Sequence, residues 1–295
     1  MATMTVLAPA KINLSLDVTG KRADGYHLLS TVMQSISMYD RVTVSLDHQQ
    51  QGIILACGRA PIPADSRNTA WRAAALFCEA TGLSDGIRID IEKKIPTAAG
   101  LAGGSSDAAA VVFALNRLLP GRISHEQLFS LAAQIGADVP FCLAGGTVLC
   151  EGIGEILTPL VPWPELPVLL IKPAFGMSTP WVFSRFRMDA SGRRPDQLAV
   201  LQAIAERDIN LLAASTANVL ESVSLAARPE LAEIKNMLLA AGAAMALMSG
   251  SGPSVFGLFA HADDCLFARD WLTARLPADT IVIATQSTAA GLVTA

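Results

Sequence analysis

The sequence is poor in charge and poorer still in lysine. Only 16% of its 295 residues are Asp, Glu, Lys or Arg, and the formal net charge is −4. Basic residues cluster no further than doublets such as Lys93-Lys94 and Arg193-Arg194, so the basic face that a nucleic-acid partner needs is missing. No C-x-x-C and no H-E-x-x-H spacing occurs, and the five cysteines are odd in number and scattered. A disulfide framework and a zinc ribbon are therefore unsupported, and free thiols in a reducing cytosol are expected. The longest apolar stretch, Met237 to Met248, is interrupted by Gly242 and is too short to span a bilayer. The first residues lack the basic start and long apolar run of a signal peptide. A soluble, cytoplasmic protein is expected, with a small-molecule partner and neither nucleic acid nor membrane. Disorder is excluded as well, since 52% of the residues are hydrophobic. At ~150 residues per domain the length suggests two compact domains or one large one.

Residues 1–60 read mainly as strands, with clear polar–apolar alternation in Arg41–Leu46. A helix is predicted from the cap Asn68 to Gly82, then an alternating strand over Ile87–Glu92 that ends before Pro96. Ser124-His-Glu-Gln127 is a capping-box pattern opening a helix that Gly136 closes. Pro159, Pro162, Pro164 and Pro167 mark a linker, after which Val168–Ile171 reads as a buried strand. Residues 186–217 are helical in composition. Helix 229–241, strand 244–248, a Gly/Ser turn, strand 254–259, helix 262–276 and strand 280–284 suggest a small α/β sandwich.

Five segments can carry chemistry. The loop Pro96-Thr97-Ala98-Ala99-Gly100-Leu101-Ala102-Gly103-Gly104-Ser105-Ser106 runs straight into the apolar helix that begins near Asp107. Small residues let backbone N–H groups approach an anion, and a helix start favours phosphate. The loop also reads as a plain strand-to-helix connector. No Walker sequence exists, and Gly250-Ser-Gly252 has Val255 where a dinucleotide fingerprint needs its third glycine. Lys11, one of six lysines, stands in the apolar run Leu7–Leu14 broken otherwise only by Asn13. It is either an edge-strand lysine facing solvent or a buried ammonium in need of a partner. Asp138, between Gly136 and Pro140, is either a turn or cap residue or a charge delivered beside Lys11. Asp24-Gly-Tyr-His27 pairs an ordinary turn with Tyr26 and His27, an aromatic face beside an imidazole. Met248–Pro253 is a tight turn between two apolar strands that either abuts a ligand or is a plain hairpin-like corner.

In combination and order these segments resemble the GHMP kinase superfamily: Ala8–Leu14, Gly20–His27, Pro96–Ala109, Gly136–Pro140 and Met248–Gly252. The resemblance implies an α+β fold of two domains, here 1–158 and 159–295. The first would be a mixed α/β domain binding ATP and substrate, the second a ferredoxin-like α/β sandwich. It implies an ATP-dependent small-molecule kinase with Lys11 and Asp138 as catalytic pair and Pro96 to Ser106 as the ATP loop. Asn13, Tyr26 and His27 match substrate positions, with Tyr26 stacking on a cytosine. Ser178–Phe183 resembles the family's T-P-x-x-F segment, which adds Thr179 and Phe183 to the cytidine pocket. The branch it points to phosphorylates the 2-hydroxyl of 4-diphosphocytidyl-2-C-methyl-D-erythritol in isoprenoid precursor synthesis, as a monomer or homodimer. Mg²⁺ is expected with the nucleotide, although no carboxylate cluster marks its ligands. Kinases of homoserine, mevalonate or sugars, and a non-catalytic nucleotide sensor, are the alternatives. Ala98, Ala99 and Ala102 stand where some members carry glycine. They keep the N–H donors but disfavour positive φ, so a stiffer loop is expected.

Overall fold

The structure is a computed structural model, and it describes residues 2–47, 49, 51–58, 62–190 and 192–295. The first half opens with a long hairpin, β1 (Ala2–Lys21) and β2 (His27–Asp47), followed by β3 (Ile53–Ala56), α1 (Thr69–Thr81) and β4 (Gly86–Glu92). Helices α2 (Gly103–Leu118), α3 (His125–Ile135) and α4 (Val139–Ala144) come next, then β5 (Thr147–Gly152) and β6 (Ile156–Pro159). The second half contains β7 (Pro167–Lys172), α5 (Thr179–Arg185), α6 (Gln197–Glu206), α7 (Ile209–Ser215), α8 (Glu221–Ala227) and α9 (Glu230–Ala240). It ends with β8 (Met245–Met248), β9 (Val255–Leu258), α10 (Ala262–Thr273), β10 (Ile281–Gln286) and β11 (Val293–Thr294).

Local chemistry sets several boundaries. The Asn68 side chain accepts from the Ala70 amide to start α1, and Gly82 at φ 66° ends it in the left-handed region that glycine adopts freely. Ser124 and Gln127 form the reciprocal capping box of α3. Both follow the expected boundaries within a residue.

Two sheets result. A seven-stranded sheet runs β11-β1-β2-β4-β3, with β5 pairing β2 and β6 pairing β5. A four-stranded antiparallel sheet runs β10-β7-β9-β8. Helices α1 to α4 pack over the first sheet in one apolar cluster that includes Phe77, Ile89, Val112 and Phe141. The second sheet is covered on both faces, so Val168–Ile171 is apolar throughout, as a strand buried on two sides must be. Leu169 and Ile171 pack against α9 and α10, while Val168 and Leu170 meet Ala10, Ile12 and Leu14 of β1. The chain end returns through β11 to pair with Val6 and Leu7. The two sheets are thus joined through β1, and its candidate site residues, Lys11 and Asn13, lie at that junction.

Candidate active site

Strand β1 departs from regular pairing with β2 between Pro9 and Ala10 and again between Asn13 and Ser15. Such irregularities re-aim side chains. Between them Lys11 and Asn13, two residues apart, share one face, as strand geometry requires. Lys11 is 4% exposed, so the buried-ammonium reading holds and the solvent-facing one does not. Its Nζ donates to Asn13 Oδ1 at 2.6 Å and lies 3.9 Å from Asp138 Oδ2. Asn13 Nδ2 donates to Thr31 Oγ1 at 2.8 Å, and that hydroxyl donates to the Ser15 carbonyl. The asparagine amide is therefore engaged at both ends and holds the lysine in place.

Asp138 occupies the position before α4, but its side chain makes no capping bond to that helix. A proline in the first turn removes one donor that a cap would satisfy. The carboxylate is left to face Lys11 with its side chain 34% exposed, a reachable acceptor beside a buried cation.

The loop from Pro96 to Ser106 lies against both. Its Leu101 carbonyl accepts from the Lys11 amide at 3.1 Å, and its Ala99 carbonyl from the Ser254 amide at 3.3 Å. The Ser249 hydroxyl donates to the Gly100 carbonyl at 2.9 Å. Gly100 has φ +76°, and a Cβ there would fall 2.2 Å from the Ser249 carbonyl oxygen, so only glycine fits. Helix α2 then starts from Ala102 with no side-chain cap, which leaves its first N–H groups open to an anion. Ala98 and Ala102 stand at φ 50° and 56°. Two of the three loop alanines thus adopt the conformation that alanine disfavours, at about 1–2 kcal/mol each.

These parts enclose one cavity of about 440 Å³. Lys11, Asn13, Asp138 and residues 96–105 line it, together with Thr179, Phe183 and Gly250 from the second half. Ser106 does not: it is fully buried and its hydroxyl donates to the Pro9 carbonyl at 2.7 Å. Thr179 and Ser251 share a hydrogen bond of 2.8 Å that ties α5 to the Gly/Ser turn. His27 lies outside the lining, half-buried, with its ring 5.2 Å from that of Phe183 and 6.2 Å from that of Phe186. Burial lowers the His27 pKa below its ordinary 6.5, and the nearby Lys21 charge lowers it further. Tyr26, at the hairpin tip, is 61% exposed and also lies outside the lining.

The structure also supplies partners that sequence patterns did not reveal. Asn218 Nδ2 donates to the carbonyls of Met248 and Gly250, both at 2.8 Å, and so fixes the turn beside Lys11. It falls in a stretch with no local signal. Asn68, expected only as a cap, lines the cavity with Thr69. Lys93 and Asp107 line it too. Lys93 was legible only as half of a basic doublet, and Asp107 only as the start of an apolar helix.

Residues 68–146 match the model of the GHMP kinases N terminal domain, and residues 200–270 match that of the GHMP kinases C terminal. The 4-diphosphocytidyl-2-C-methyl-D-erythritol kinase of Clostridium botulinum (strain Kyoto / Type A2) is 47% identical over 89% of this chain and 92% of its own. The enzyme of the same name from Acetivibrio thermocellus is 44% identical over 92% and 95%. A crystal structure of 4-(cytidine 5'-diphospho)-2C-methyl-D-erythritol kinase superposes with a TM-score of 0.81 at 38% identity, covering 97% of this chain and all of that one. The homoserine kinase of Cytophaga hutchinsonii reaches 0.80 at only 20% identity over 100% and 98%, a likeness of fold alone. The chain belongs to the GHMP kinases, in the family of the 4-diphosphocytidyl-2-C-methyl-D-erythritol kinases.

Proposed function

We propose that the chain transfers the γ-phosphoryl group of ATP to the 2-hydroxyl of 4-diphosphocytidyl-2-C-methyl-D-erythritol, releasing ADP and the 2-phosphate in isoprenoid precursor synthesis. The observation that carries this reading is the meeting of the Lys11–Asp138 pair with the small-residue loop and the uncapped start of α2 in one cavity. Residues 1–158 hold the nucleotide and the reacting groups in this reading, and 159–295 close the acceptor pocket. Backbone N–H groups of residues 96–105 bind the triphosphate where a Walker lysine is missing. Asp138 takes the proton of the attacking hydroxyl as the new P–O bond forms and the bond to the β-phosphate oxygen breaks. Lys11, steadied by Asn13, offsets the charge that develops on the transferring oxygens. Tyr26 stacks on the cytosine, and His27, with Phe183 and Thr179, holds its edge.

Among the described residues, no three His, Cys, Asp or Glu side chains converge on a cation position. Mg²⁺ would arrive with the triphosphate, and Asp138, which lines the cavity, is a carboxylate that would face it there. The metal supplies charge neutralisation when bound. The five cysteines are all free, which fits a reducing compartment, and we place the reaction in the cytoplasm. Phosphorus NMR of the product tests the assignment. A new phosphomonoester signal beside an intact cytidyl diphosphate is expected; a cleaved diphosphate or a phosphate on another hydroxyl refutes it.

A further inference from the structure

A second ionic centre lies beside the nucleotide loop. The Lys93 ammonium, just after β4, pairs with Asp40 of β2 and with Asp107 of α2, the latter at 2.7 Å. The three side chains are 8%, 0% and 3% exposed. Asp40 is well supplied with donors: its Oδ1 also accepts from the amides of Lys94 at 2.6 Å and Ile95 at 2.9 Å. Asp107 is not, because its Oδ1 is buried without a hydrogen-bond partner among the described residues. Two carboxylates against one ammonium leave one excess negative charge away from water. An unpartnered buried oxygen is the costliest place for it.

The position of this charge matters. Asp107 stands in the second turn of α2, whose uncapped first turn opens on the cavity that Lys93 and Asp107 also line. Gly103 brings that first turn down onto the ammonium, since a Cβ there would lie 3.2 Å from Lys93 Nζ. The excess negative charge therefore lies close behind the N–H groups that the triphosphate requires, and it repels the ligand they attract.

Resting on the nucleotide reading above, we infer that Asp107 is a positioning residue that takes up one proton from solvent, at Oδ1, when ATP binds. Protonation leaves a neutral cluster, with the Lys93–Asp40 pair intact, beneath the helix start. Burial already pushes the Asp107 carboxyl up to about 7; Asp40 adds to the rise and Lys93 opposes it. The other titratable group facing it is the Cys57 thiol, pushed up mainly by its own burial and also by Asp107, so it stays neutral. The added negative charge of ATP favours the protonated form further. Because the complex then holds more protons than the free chain, binding strengthens as pH falls, by up to about tenfold per pH unit for one proton.

Calorimetric titration of the full chain with a non-hydrolysable ATP analogue and Mg²⁺, in buffers of different ionisation enthalpy, tests this between pH 6.5 and 8.5. The wild type is expected to take up a fraction of a proton that is absent in Asp107→Asn, whose Kd changes less with pH by that same proton. Equal uptake in both chains, or none in the wild type, overturns the inference while leaving the kinase reading in place. Failure of the analogue to bind the wild type at all overturns both. Should the variant not fold, a carboxyl-carbon NMR titration of the wild type decides: the Asp107 midpoint is expected to rise on adding the analogue, and an unmoved midpoint contradicts the proposal.

Discussion

The middle and the tip of the β1–β2 hairpin are built by different means. Around Lys11 the lysine and Asn13 are buried and engaged, by each other, by Thr31 and by the loop carbonyl of Leu101, and only the Asp138 carboxylate is partly open. At the tip, Arg22 and Asp24 form an ion pair about half exposed on each side, and the Tyr26 amide rests on the Asp24 carboxylate at 3.1 Å. An exposed pair of that kind contributes little, ~0–1 kcal/mol. The proposed reacting centre is thus organised before substrate arrives, which would lower the ordering cost of catalysis. The tip, proposed to read the acceptor, is held by one local turn, so part of its ordering would fall to substrate binding. Phosphoryl transfer demands fixed geometry; recognition of a flat base tolerates adjustment.

Substitutions around Lys11 and at the tip should separate cleanly. Asp138→Asn removes the proton acceptor while keeping its size, and kcat should fall about 10²–10⁴-fold with ATP affinity retained; an unchanged kcat removes Asp138 from the mechanism. Gly100→Ala pushes a methyl group into the Ser249 carbonyl and should lower stability by about 2–5 kcal/mol, read as a drop in Tm. A stable Gly100→Ala chain that binds ATP normally would show that the loop is not pinned as described. At the tip, Tyr26→Ala should raise KM for the cytidyl substrate about 5- to 150-fold, the worth of one stacked base. KM for ATP and Tm should both stay put, and equal effects on the two substrates would make Tyr26 structural.

His27 gives a smaller, pH-dependent effect. Its lowered pKa leaves the imidazole more than half neutral at pH 6.5, where an ordinary histidine is half protonated. The midpoint of the pH dependence of KM for the cytidyl substrate should therefore fall below 6.5. In the same sense, His27's contribution to stability is present at neutral pH and is lost as pH falls through its ordinary value, because the unfolded chain then binds the proton first. The smallest effect is expected from Ala98→Gly or Ala102→Gly. Relief of left-handed strain is largely offset by the entropy of glycine, so stability should rise by less than about 1 kcal/mol.

What could be read in advance follows the range of the interactions. The span from Asn68 to Gly82 and the Ser124 capping box are encoded within a few residues, and both were legible. So was the small-residue loop as a candidate, although its composition suits a plain connector equally well. The full reach of β1 and β2 was not, because their pairing irregularities at Pro9/Ala10 and Asn13/Ser15 depend on both strands together. Lys11 and Asp138 were legible as candidates, yet their approach to 3.9 Å depends on the fold between them. The Lys93–Asp40–Asp107 cluster draws on residues 53 and 14 positions apart, and no local pattern announces such a set. Ser106 misled for the opposite reason. A serine at a helix start looks available for phosphate, but here the Pro9 carbonyl takes its hydroxyl.

In the proposed reaction one preorganised centre phosphorylates a cytidyl acceptor recognised at the hairpin tip. The most direct test is ADP release by the purified chain with Mg-ATP, offered 4-diphosphocytidyl-2-C-methyl-D-erythritol, homoserine, mevalonate or galactose. Turnover with the cytidyl compound alone is the expected result; turnover with another of these alcohols, or with none while ATP still binds, would contradict it.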